Sequence, residues 1–126
     1  MATRRRPATA EDLLGKASRT AEVVLTIPGE KGNVEVTMAL TALSAAAYDK
    51  LLADHAPTKE QKEEGNGYNP DTFCPALIAE VVTEPKLTSE QADQIWNSES
   101  WNRGELRDLF LSCVNLCSQG LDVPFM

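Results

Sequence analysis

Three cysteines and one histidine are the residues of this chain best suited to metal binding or nucleophilic chemistry. Cys113 and Cys117 are four residues apart, so they share one face of any helix that contains them. Cys74 and His55 lie far from that pair in the sequence, and the chain has no C-x-x-C knuckle of the kind that structural zinc sites use. Free cysteines are also common in buried positions. We therefore predict no metal site and no cofactor.

Groups for acid–base, nucleophilic or phosphate chemistry are equally hard to find. Acidic residues such as Glu63 and Glu64 lie in a polar stretch, where no buried environment would prepare a general acid or base. A Cys–His nucleophile pair has no signal in the sequence, and Cys74 stands between Phe73 and Pro75 at the start of a helix that reads as packed. The glycines match neither G-x-x-x-x-G-K nor G-x-G-x-x-G. We predict no catalytic residue and no enzyme activity.

Large apolar residues of the C-terminal half are candidates for binding. Trp96 and Trp101 flank the short segment NSES. Tryptophan often anchors a core, but it is also enriched at the centres of protein interfaces. The apolar stripes of the neighbouring helices can likewise face a core or a partner. The candidate partner-binding residues are Phe73, Leu77, Ile78, Trp96, Trp101 and Phe110.

Residues 22–40 predict a β-hairpin. EVVLTIPG (22–29) is rich in β-branched residues, and NVEVTMAL (33–40) alternates apolar and polar side chains. The two runs are joined by PGEKG, a glycine-containing loop. An isolated hairpin is only marginally stable in water, so it must pack on helices or pair with another strand.

Helix signals occupy most of the remaining chain. Apolar residues recur at helical spacing over 43–55, and Pro57 ends this helix because the residue before a proline leaves the α region. The stretch 57–70 is polar and contains two glycines, which predicts a charged loop. Residues 71–117 predict three short helices joined by tight turns, which must pack because such helices are too short to stand alone.

Capping residues place the starts of the C-terminal helices. Asp71 or Thr72 can cap the first of them, which puts Pro75 in its first turn and leaves the helix to end near Thr83, before Pro85. The next two helices begin with capping boxes. The pairs that form these boxes are Thr88 with Gln91, and Asn102 with Glu105.

Length and composition are those of one ordinary domain. The chain has 126 residues, of which 42% are hydrophobic and 25% are charged. We predict an α+β fold, with an N-terminal β-hairpin followed by a mainly α-helical bundle of about four short helices. This single domain covers residues 21–118, between a flexible basic N-terminal tail (1–20) and a C-terminal tail (119–126).

Charge is distributed unevenly along the chain. The net charge is −7, and residues 1–20 contribute five basic and two acidic groups, so residues 21–126 carry −10. Such a body repels phosphates, and we predict no nucleic-acid binding. The triplet Arg4-Arg5-Arg6 reads either as a binding arm or as a solvated terminus.

The sequence has neither a signal-peptide core nor an apolar run long enough for a membrane span, so we predict no membrane association. The odd number of cysteines, three, fits a reducing cytosol.

An ordered set of features is similar to that of a known protein family. The matching features are a helix ending in His55-Ala56-Pro57, the loop TKEQKEEG, Asn69-Pro70-Asp71-Thr72-Phe73, Pro75-Ala76-Leu77-Ile78, Glu84-Pro85, Leu87-Thr88, Trp96, Gly104-Glu105 and Asn115. Together with the hairpin, and over about residues 22–125, this set resembles the tail assembly chaperones of long-tailed phages and prophages of actinobacteria. Two mild departures are Ala56, where His-Pro-Pro is more usual, and Cys74, where a proline often sits.

The resemblance implies a non-enzymatic assembly factor. Proteins of this family bind and solubilise the tape measure protein and help bring tail tube subunits to it, in the host bacterial cytoplasm. They are absent from the mature virion. The family often makes a second, longer product by ribosomal frameshifting, so an extended form of the chain itself is a further expected partner. An alternative function is a structural tail or head–tail component that is retained in the virion, and a third is a small hydrolase or metal enzyme.

Overall fold

The computed structural model of the protein describes residues 5–120. Arg4 and the part of the predicted C-terminal tail beyond Gly120 lie outside these residues. The elements in the described range are α1 (Ala10–Leu14), β1 (Thr20–Gly29), β2 (Gly32–Thr41), α2 (Ala45–Asp54), α3 (Lys59–Glu63), α4 (Pro70–Val81), β3 (Val82–Glu84), α5 (Ser89–Trp96) and α6 (Arg103–Ser118). The predicted α+β class, with N-terminal strands followed by helices, is confirmed.

The predicted hairpin is present and is slightly longer than its sequence signal. β1 and β2 pair antiparallel from Thr20 opposite Thr41 to Gly29 opposite Gly32. Both glycines are needed at the turn. Gly32 has a φ of +115°, and a Cβ on Gly29 would lie 2.8 Å from the carbonyl oxygen of Gly32.

The third strand was not predicted. The expectation that the helix before Pro85 continues to near Thr83 is wrong, because α4 ends at Val81 and Val82 is extended and buried. β3 pairs antiparallel with β2, so the sheet has the order β1-β2-β3. Val82 and Thr83 are β-branched, which suits a strand. The open edge of β2 supplies the backbone hydrogen-bonding partner, which the local sequence does not reveal.

Two single-turn helices lie in stretches that the sequence analysis assigned to a loop and a tail. α3 falls inside the predicted loop 57–70, where Thr58 and Gln61 form a reciprocal capping box. α1 falls inside the predicted tail 1–20 and starts at a similar box between Thr9 and Asp12. Neither helix buries a residue. Both were missed because they lack apolar periodicity and are held by their caps.

The start of α4 lies earlier than predicted. Asn69, rather than Asp71 or Thr72, is the N-cap, and its side-chain Oδ1 accepts a hydrogen bond from the Asp71 amide at 3.1 Å. Pro70 then takes the first helical position, which suits proline because its missing amide would be unpaired there. Pro75 therefore lies inside the helix, not in its first turn as predicted.

The core lies between α4, α6 and the sheet. α4 packs against α2, α5 and α6, while α6 also packs against β1. The buried apolar residues that form one cluster are Leu40, Phe73, Leu77, Ile78, Val81, Val82, Leu109, Cys113 and Leu116. Among the described residues, no polar or charged residue is buried. Burial of apolar surface is therefore the main stabilising term of this fold.

The apolar face of the hairpin is covered only near its base. Leu40 is buried, and its neighbours Val23 and Met38 pack against the core. Towards the turn, Ile27 is 39% exposed and Val34 is 50% exposed. The hairpin thus extends past the helices that cover it. No helix in the described range is long and apolar enough to cross a membrane.

Candidate functional site: an aromatic cleft between α5 and α6

The three candidate residues of α4 belong to the protein's own core. Phe73, Leu77 and Ile78 are each 0% exposed. α4 is the central helix, and packing against α2, α5 and α6 covers its apolar stripe. A partner cannot reach these side chains in the folded state. The candidate binding surface is therefore narrowed to the three remaining residues.

Trp96, Trp101 and Phe110 come together at the surface. All three are half-buried and line one cleft with a volume of about 510 Å³. Trp96 ends α5, Trp101 immediately precedes the N-cap of α6, and Phe110 lies two turns into α6. The remaining lining residues are Arg103, Leu106 and Arg107, all on α6.

Hydrogen bonds at the start of α6 hold the cleft in shape. The Asn102 side-chain Oδ1 accepts from the Glu105 amide at 2.8 Å, and Glu105 Oε1 accepts from the Asn102 amide at 2.9 Å. In the turn before it, Ser98 Oγ accepts from the Ser100 amide at 3.1 Å. The predicted capping box between Asn102 and Glu105 is confirmed, as is the one between Thr88 and Gln91 that starts α5. The two tryptophans are thus placed by local bonds that the sequence encodes.

The floor of the cleft is continuous with the aromatic part of the core. Phe110 contacts buried Phe73 edge-to-face, with ring centroids 6.1 Å apart, and Trp96 in the same way at 6.2 Å. Tyr68 packs against both phenylalanines, with its ring centroid 4.8 Å from that of Phe73 and 6.4 Å from that of Phe110. Such pairs contribute about 0.5–1.5 kcal/mol each beyond their buried area. The cleft is consequently a preformed apolar surface.

Two cations stand at the cleft. Arg103 and Arg107 are both exposed and are one helical turn apart on α6. Among the described residues the only carboxylate within ion-pair distance of either is Asp108, whose Oδ1 lies 3.6 Å from Arg107 Nε. Since both partners of this pair are well exposed, it stabilises the fold little.

Three lining residues of the cleft were not predicted from the sequence: Arg103, Leu106 and Arg107. A signal for them was present, because these two arginines are the only ones after Arg19 and closely follow Trp101. Arginine and tryptophan are both enriched at interface hot spots. Their proximity in the chain would have extended the candidate site to the first two turns of α6.

The cysteines and the histidine do not form a reactive or metal-binding cluster in the described residues. Burial raises the pKa of the Cys74 and Cys113 thiols to about 12, and a neutral thiol is a poor nucleophile and a poor metal ligand. Cys117 Sγ accepts a hydrogen bond from the Leu43 amide at 3.4 Å. His55 Nδ1 lies 2.9 Å from Thr72 Oγ1. Within residues 5–120, no three His, Cys, Asp or Glu side chains cluster in a way that would hold a metal ion.

Comparison of the chain with known protein families, with curated proteins and with solved structures found no match.

Proposed function

We propose that the protein is a phage tail assembly chaperone, which binds and solubilises the tape measure protein and helps recruit tail tube subunits. The observation that carries the proposal is the preformed aromatic cleft, which contains both tryptophans of the chain. An apolar cleft without a reactive group is suited to holding a partner rather than transforming a substrate. The ordered sequence features that resemble this family supply the identity of the partner.

The cleft has the character of a groove for an amphipathic helix. Such a helix inserts apolar anchors, spaced by three or four residues, into an apolar groove. Trp96, Trp101 and Phe110 retain exposed surface in the unbound protein, and covering it contributes about 25 cal/mol per Å². The partner implied by the resemblance is a long, helical and aggregation-prone molecule, which offers many such segments.

The charge of the protein suits a chaperone of this kind. Residues 21–126 carry a net charge of −10. A strongly charged carrier keeps a bound apolar partner dispersed, because neighbouring complexes repel one another.

Co-expression with a tape measure protein from the same genome tests the proposal. We expect the wild-type protein to raise the soluble yield of the tape measure protein and to co-purify with it. Trp101→Ala should lose most of this effect. Leu111→Ala is the matched control, because Leu111 is a 42% exposed α6 residue that does not line the cleft. No gain in soluble yield and no complex with the wild-type protein would refute the proposal.

Mass spectrometry of purified virions separates the chaperone from a structural component. A chaperone leaves the particle before it is complete, so we expect the protein in infected-cell lysates and not in virions. Abundant copies in each virion would instead assign it to the tail or the head–tail junction.

A further inference from the structure

We propose that the cleft selects helices in which an apolar anchor is flanked by Asp or Glu side chains, and that Arg103 and Arg107 bind those carboxylates. This inference rests on the proposed function, because that function places a partner helix in the cleft. It adds the chemical class of the segment that is recognised.

The distribution of arginine in the chain is the first observation. Residues 21–126 contain seven basic residues, of which five are lysines, and the two arginines both line the cleft. None of the five lysines lines it. Arginine binds carboxylates with two parallel hydrogen bonds and retains its charge, whereas lysine acts as a single charged point. Within residues 21–126, the residue type suited to recognising a carboxylate therefore occurs only at this cleft.

The spacing of the two arginines is the second observation. They are four residues apart on α6, so their Cα atoms are separated by about 6 Å along the helix axis. Acidic residues four apart on a partner helix have the same separation. Two guanidinium groups on α6 can thus meet two carboxylates on a helix that lies along it.

Both arginines are available to a ligand. Arg103 has no carboxylate within 4.0 Å among the described residues. Arg107 contacts Asp108 only through Nε at 3.6 Å, in an exposed pair that competes weakly. Glu105, the other acidic residue close by on α6, is engaged through its Oε1 with the Asn102 amide. The positive charge at the cleft is therefore not neutralised by strong internal pairs.

The surrounding acidity makes this feature selective. An acidic helix is repelled by a body with a net charge of −10 wherever no local cation opposes that field. Arg103 and Arg107 supply two positive charges beside the apolar anchors. An acidic helix is therefore favoured at the cleft over the acidic parts of the surface.

Intrinsic tryptophan fluorescence gives a direct assay, because the only two tryptophans of the chain both line the cleft. The probes are three tryptophan-free synthetic helices that share one leucine stripe and carry Glu, Gln or Lys at the flanking positions, matched for helicity by circular dichroism. At low ionic strength we expect the Glu helix to bind at least about tenfold more tightly than the Gln helix, and the Lys helix to bind most weakly. Added salt should reduce the difference.

Variants locate the origin of the preference. Arg103→Gln with Arg107→Gln should remove the advantage of the Glu helix over the Gln helix. Lys31→Gln, at the hairpin turn, is the control and should retain the full preference. Equal binding of the Glu and Gln helices, a preference that survives the double substitution, or no fluorescence change with any helix would each overturn the inference. The proposed function fails separately, when the wild-type protein neither solubilises nor binds the tape measure protein.

Discussion

The apolar stripe of α4 and the aromatic cleft between α5 and α6 are built from similar residues but have different surroundings. Phe73, Leu77 and Ile78 are fully buried because α4 packs against three other helices. Trp96 and Trp101 lie where α5 ends and α6 begins, and they remain partly exposed. Apolar patterning therefore identifies which faces need cover, while the position of a helix in the fold decides whether the protein supplies that cover itself.

The largest expected effect is in the α4 region. Phe73→Ala should reduce the free energy of unfolding by about 3–5 kcal/mol, because it removes a fully buried ring and leaves a cavity. Urea unfolding followed by circular dichroism measures this change. Leu111→Ala on the surface is the control and should stay within about 0.5 kcal/mol of the wild type. A change below about 1 kcal/mol for Phe73→Ala would remove the distinction between the two regions.

A substitution in the cleft should reduce binding much more than it reduces stability. Trp101→Ala should weaken binding of the tape measure protein at least about tenfold, since central tryptophans dominate interface energies. The same substitution should lower stability by only about 1–2 kcal/mol, because the side chain is half-buried. Pull-down titration and urea unfolding of one preparation measure both quantities. A stability loss equal to that of Phe73→Ala, with binding unchanged, would place Trp101 in the core.

The capping box at the start of α6 should contribute both to the stability of the protein and to binding at the cleft. Asn102→Ala should destabilise the protein by about 1 kcal/mol, because the Glu105 amide loses its 2.8 Å acceptor. The frayed first turn carries Arg103, so binding to the cleft should weaken as well. Thermal unfolding and the tryptophan assay measure the two effects. Asn102→Ser should restore both, and an unchanged melting temperature for Asn102→Ala would show that the box is dispensable.

At pH values near 9, the smallest expected effect is that of the buried thiols. Burial raises the pKa of Cys74 and Cys113 from 9.0 to about 12. The unfolded chain releases these protons at lower pH than the folded protein does, so the stability that depends on them is complete below pH 9 and is lost as the pH rises towards 12. Urea unfolding at several pH values above 8 measures this decline. The Cys74→Ala, Cys113→Ala variant should show a shallower pH dependence, and an equal slope would contradict the assignment.

Local signals in the sequence were sufficient for much of the fold and part of the site. The capping boxes at Thr88 and Asn102 and the alternation in the hairpin predicted those elements because each signal lies within a few neighbouring residues. The Asn102 box also fixes the start of α6 directly after Trp101. The part of the site that is positioned by helix starts could therefore be predicted from the sequence.

The remaining features depend on contacts between distant residues. Val82 joins the sheet because the edge of β2 lies beside it. The residues of β3 themselves carry no signal that predicts this pairing. The burial of Leu77 likewise follows from helices that pack around α4. Pro75 was misplaced because two nearby residues, Asp71 and Thr72, are equally good caps by type. The pairing of strands and the burial of one element by another could not be predicted from the local sequence pattern.

Hydrogen–deuterium exchange of the protein, alone and mixed with the tape measure protein that we propose as its partner, tests the central claim most directly. Amides of α4 should exchange slowly in both states, because this helix forms the centre of the core. Amides from the end of α5 through the first two turns of α6, residues 95–110, should gain protection on binding. Protection confined to the exposed end of the hairpin around Ile27 and Val34, with none at residues 95–110, would contradict the account.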